Sequence, residues 1–86
     1  MPEDATKISI EIYGEKYLVR GDGTPEHIQA IASEVDHKMT LLAGRLPNLS
    51  LNHLAVLTAL NLADELVKLR EEQEELLSLL GEDTFG

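Results

Sequence analysis

Apolar residues along the chain follow three successive periods, and each implies a different element. From Lys7 to Tyr13 (KISIEIY) apolar and polar residues alternate, the period of a strand with one buried face. Gly14-Glu15 then fits a two-residue type II′ turn, with glycine where φ must be positive. That turn sets Ile12 opposite Tyr17 and Ile10 opposite Val19. Ile8, Ile10, Ile12, Tyr17 and Val19 then share one face, and Glu11, Tyr13, Lys16 and Leu18 point the other way. A lone hairpin is marginal in water, so its apolar face is expected to lie on helices.

After the break at Gly21-Asp22-Gly23 the period lengthens. Thr24-Pro25-Glu26 is a helix start: a threonine N-cap, proline at the first helical position and an acid in the first turn. Ile28, Ile31, Ala32, Val35, Met39, Leu42 and Leu46 keep helical spacing. Gly44 suits the position just past the end of this helix, and Pro47 forbids its continuation. Ser50 is the next N-cap, with Leu49 and Leu54 at the positions of a hydrophobic staple.

The third segment, residues 51–80, contains no proline or glycine and is rich in good helix formers, enough for a rod roughly 45 Å long. Ala59, Leu62, Leu66, Leu69, Gln73, Leu76 and Leu80 alternate spacings of three and four, a heptad seam with Ala59, Leu66, Gln73 and Leu80 at a and Leu62, Leu69 and Leu76 at d. Up to Val67 the helix is apolar off the seam too, so that half is expected to be buried nearly all round. Beyond it the helix is a strip wanting a partner helix. A surface helix lying on its own domain would account for the same pattern, but a chain this short has too little other structure to cover it. Self-association through the seam is the expectation. Gln73 gives up stability in a leucine seam, and such residues can set register and partner number. Glu65 at g and Arg70 at the following e would pair between parallel chains.

The elements add up to an α+β chain of ββαα order. Residues 1–5 form an acidic leader expected to be disordered, 6–49 a head of hairpin and first helix, 50–80 a long helix that packs on the head and then enters a coiled coil, and 81–86 a tail after Gly81. Eighty-six residues make one small domain, a size at which oligomerisation often supplements the core. With three aromatics, the core must be aliphatic; with no cysteine there is neither disulfide framework nor thiolate chemistry. The N-terminus lacks the basic and apolar regions of a signal peptide, and no apolar run is long enough to span a bilayer. The expected compartment is the cytoplasm. A formal charge of −9 opposes nucleic acid or anionic membrane as partner.

Candidate chemistry is thin. His27 and His37 stand ten residues apart on one predicted helix, about 15 Å, too far to share a metal. The glutamates at 71, 72, 74 and 75 lack the glycine turn and alternating oxygen ligands of a calcium loop, and a solvated coil face explains them. Gly21-Asp22-Gly23 has neither the lysine nor the further glycine of a phosphate cradle. No nucleophile, base and orienting group can be assembled, so an enzyme, a cofactor and a metal site are all set aside.

Three stretches together resemble the ZapA family of bacterial cell-division proteins, in that family's order and over most of the chain. They are Ile10-Glu11-Ile12-Tyr13-Gly14 followed by Tyr17, then Val35-Asp36-His37-Lys38-Met39, then residues 54–66, LAVLTALNLADEL. The stalk ends early, as in the shorter members. The resemblance implies the same ββαα fold and a non-enzymatic partner of FtsZ, the tubulin-like GTPase that polymerises at the division site. It also implies homodimers, with tetramers in longer-stalked members, that cross-link or align FtsZ protofilaments. Carried over by position, the FtsZ-facing candidates are Glu15 at the hairpin tip and the interhelical segment near Pro47 and Asn52. Lys16, Arg20 and Arg45 are the nearby cations added on physical grounds. The alternatives are a prefoldin-like holdase and a generic coiled-coil adaptor. A holdase should present an apolar patch at open stalk tips, and here those tips are acidic. A ribbon-helix DNA binder is opposed by the charge.

Overall fold

The computed structural model describes residues 6–85, with side chains over 7–81. The expected leader and the last residue of the tail lie outside that range. The chain runs β1 (Thr6–Ile12), β2 (Glu15–Gly21), α1 (Pro25–Arg45) and α2 (Leu51–Phe85), the ββαα order expected.

The hairpin forms with a different turn. Its two central residues are Tyr13 and Gly14, both with positive φ (51° and 81°) as a type I′ turn requires, not Gly14 and Glu15. Ile12 therefore faces Glu15, Ile10 faces Tyr17 and Ile8 faces Val19. Moving the turn by one residue moves the register by two, so the same five residues still share the inner face. A tyrosine in the left-handed region is unfavourable by itself. Here Asp36, in the middle of α1, accepts a hydrogen bond from the Tyr13 N–H at 2.7 Å. A tertiary contact thus selects the turn.

Helix α1 starts as its sequence dictates: Thr24 Oγ1 accepts from the His27 N–H at 3.1 Å, with Pro25 in the first turn. It passes through Gly44 and stops at Arg45; the Leu46 N–H still reaches the Leu42 carbonyl, and it is Asn48 that takes positive φ. Proline two residues past the end is sufficient to stop the helix, so Gly44 is not needed as a terminator. Ser50 caps α2, its hydroxyl accepting from the His53 N–H at 3.1 Å. Helix α2 continues through Gly81 to Phe85, and at 35 residues it is about 52 Å long. A lone glycine costs a helix only about 1 kcal/mol, and no proline follows it.

The core has two clusters joined by Ile12. Ile10, Ile28 and Ala32 form one, with Ile8 and Val19 against them. Met39, Leu42 and Leu54 form the other, with Val35, Ala43 and Leu57. Helix α1 is thus the platform: β1 packs on its first half, and the start of α2 on its second. Thr58, the one buried polar residue among those described, donates its hydroxyl to the Leu54 carbonyl at 2.8 Å.

This core is open. Among the described residues no large side chain is fully buried. A compact monomer of this mass would expose about 5,000 Å², yet the chain exposes 6934 Å². Its radius of gyration is 17.6 Å, against about 12 Å for a globule of equal length. The excess of about 1,900 Å² is the area one protomer loses in a large obligate interface.

Candidate interaction surfaces

Helix α2 has two environments. Leu54 and Thr58 are buried on the head, and Leu57, Asn61 and Leu62 are half-buried. Ala55, Val56, Ala59, Leu60 and Ala63 in the same turns are exposed. The expected all-round burial therefore fails within one chain. The head supplies only α1 and a hairpin, which reach one side of the helix.

Beyond the head the seam side chains are exposed in the single chain. Leu66 is 46% exposed, Leu69 61%, and Leu76 and Leu80 are similar; Gln73 is exposed among them. Leu66, Leu69, Gln73 and Leu76, flanked by Arg70 and Glu72, line a single shallow apolar trough. Of the seven seam residues, only Leu62 is half-buried; the other six are exposed. A second apolar concavity lies at the head. Between the hairpin (Ile10, Ile12, Tyr17 and Val19 of its inner face, with Tyr13 and the edge residue Leu18), Met39 of α1, and Leu51 and Ala55 of α2 lies an apolar hollow of about 330 Å³. Exposed apolar concavities on this scale mark interaction surfaces.

The charges near the stalk are arranged within the chain. Glu65 makes an ion pair with Lys38 of α1 at 2.5 Å, which ties α2 to the head where the two helices diverge. The bond uses Oε2 of a carboxylate that is still half exposed. Lys68 pairs with Asp64 one turn away at 3.0 Å, and the hydrogen bond and charge of that carboxylate hold its ammonium above its ordinary pKa.

The head candidates do not form one patch. Glu15 and Lys16 lie beside the hairpin turn, next to Asp36 in the middle of α1. Arg20 is at the other end of β2, beside Gly21, whose backbone approaches Ile28 in the first turn of α1. Arg45 ends α1, and Asn52 is in the first turn of α2. Since α1 is about 30 Å long, Arg20 and Arg45 stand near opposite ends of the head. All five are exposed. Reading the sequence missed Asp36 and Lys38 as structural anchors, although both stand in the Val35–Met39 stretch that carried the resemblance; nothing local marks a residue whose partner is over twenty positions away. Among the described residues no three His, Asp or Glu side chains are grouped to hold a metal, and no helix is long and apolar enough to cross a membrane.

A ββαα head with an unfinished core, carried on a helix with an uncovered seam, defines a head-and-stalk protein whose chemistry is in its surfaces. The family described as Cell division protein ZapA matches residues 8–82. A Cell division protein ZapA of Geobacillus thermodenitrificans is 42% identical over 84 residues, 98% of this chain and 92% of its own length. One of Bacillus thuringiensis (strain Al Hakam) is 45% identical over 71 residues, 83% of this chain and 80% of its own. Among solved structures, a ZapA mutant dimer from Geobacillus stearothermophilus superimposes with a TM-score of 0.71 at 41% identity, covering 88% of each chain. The chain belongs to the ZapA family of cell-division proteins.

Proposed function

We propose that this protein is a non-enzymatic cross-linker: two copies join through α2, and their two heads bind FtsZ and align its protofilaments at the division site. The observation that carries this reading is the uncovered seam together with the excess surface. An exposed leucine row is unstable alone in water, and a second copy of the same row covers it without any other partner. Membership of a cell-division family and a structural neighbour that is itself a dimer support it. Two-fold pairing duplicates every head surface, which is what joining two filaments requires. The seam residues are Ala59, Leu62, Leu66, Leu69, Gln73, Leu76 and Leu80, and the hollow beside the hairpin lies within reach of the same association. Glu15, Lys16, Arg20, Arg45 and Asn52 are the head positions assigned to FtsZ.

The test is co-sedimentation with FtsZ polymerised in GTP, followed in parallel by light scattering. The chain should enter the pellet with filaments and raise the scattering. Absence from the pellet at micromolar concentrations of both proteins would overturn the reading.

A further inference from the structure

We infer that the outer edge of β2 is a docking site for an extended acidic peptide, which adds to the hairpin as a third strand. The edges of this two-stranded sheet are not equivalent. On the β1 side α1 lies alongside, with Gln29 Nε2 donating to the Ser9 carbonyl at 3.3 Å and Asp36 taking the Tyr13 N–H. On the β2 side, among the described residues, no helix or side chain bonds to the backbone. Because Ile12 and Glu15 close a two-residue turn, alternation directs the N–H and C=O groups of Lys16, Leu18 and Arg20 outward. Such a row is a template for strand addition, and proteins blunt it by covering it, with proline or a bulge, or with edge charges that repel another copy, the one device present here in Lys16 and Arg20. Here it is seven residues long, with no proline or bulge.

The side chains state the chemistry of the occupant. Lys16, Leu18 and Arg20 share the outer face with Lys7, Ser9 and Glu11. Leu18 is 73% exposed, the most of any large apolar residue described. Three of the chain's seven cations stand on this one face, against a single acid, in a chain of net charge −9. Lys7 and Arg20 are directly opposite each other, and neither has a carboxylate partner among the described residues. Like charges across a strand pair repel, and an anionic group between them relieves it. A second copy of the chain is the wrong occupant. Antiparallel pairing of β2 with itself about Leu18 would set Lys16 against the partner's Arg20, cation on cation. An incoming strand reading acid, any residue, apolar, any residue, acid matches all three outward positions. Lys16 and Arg20 also stand among the head positions assigned to FtsZ, so the edge is tested with a peptide and without FtsZ, and the failure of either reading leaves the other standing.

The experiment is fluorescence anisotropy of the full chain with a labelled heptapeptide, with threonine at odd positions and aspartate, isoleucine and aspartate between them. Saturable binding is expected, weakened about tenfold by Arg20→Glu. Leu18→Pro removes an outward N–H but no bond of the β1–β2 ladder, so it should abolish binding and leave circular dichroism and oligomer mass unchanged. Methylating the aspartate and isoleucine nitrogens of the peptide should abolish binding too. The proposal is overturned by no binding to the wild-type chain, by equal binding of the methylated peptide or of one with lysine for aspartate, or by unchanged binding to Arg20→Glu. A lower oligomer mass for Leu18→Pro would make the edge a contact between copies and overturns it as well.

Discussion

At the scale of single residues, the decisive one is Asp36. A type I′ turn needs two residues in the left-handed region, and the sequence offers only one glycine there. Tyr13 accepts the unfavourable conformation because its N–H meets a carboxylate on α1. Asp36→Ala should therefore loosen the hairpin on its platform as well as remove a bond. The expected loss is about 1–2 kcal/mol, a charge-assisted bond discounted for its exposure. It is read as a lower melting temperature at fixed protein concentration, with faster amide exchange concentrated in the hairpin. An unchanged melting temperature would mean that the inner-face packing selects the turn without Asp36.

At the scale of elements, α2 is one continuous helix with two functions, and its seam is the place to separate them. Leu66 lies just beyond the head and is half exposed in the single chain, so Leu66→Glu should leave the head's own contacts intact. Two such glutamates facing each other in an apolar seam would repel, and sedimentation equilibrium should show a lower mass than wild type. Gln73 tests the opposite sign. Gln73→Leu replaces a polar residue in the seam with an apolar one and should stabilise the assembly by about 1–2 kcal/mol per chain, raising its melting temperature by several degrees. A fall in melting temperature would assign Gln73 a specific bond across the interface.

At the scale of the whole molecule, the proposed cross-linking needs two heads, whereas binding would need one. On that proposal, once one head is bound the stalk would hold the other close to a neighbouring filament, so a weak single contact would be enough to join two filaments. A Leu66→Glu chain that is folded by circular dichroism but monomeric should therefore pellet weakly with FtsZ filaments and fail to raise light scattering. If that monomer bundled filaments as well as wild type, the cross-linking mechanism would be wrong, and each chain would have to act on the filament itself.

The sequence by itself determined what depends on near neighbours. The Thr24 and Ser50 caps, the stop before Pro47, the alternation of β1 and the leucine seam each rest on residues within a few positions of one another, so local patterns carry them. Even the misplaced turn left the hairpin's faces correct, because side-chain parity survives a register shift of two. Only the tertiary structure decided the rest. The turn type depends on Asp36, 23 positions from Tyr13; the fate of Glu65 depends on Lys38, 27 positions away; and which edge of the hairpin stays open depends on where α1 lies. Each of these is a contact between elements, and a contact of that kind leaves no periodicity along the chain from which it could be read.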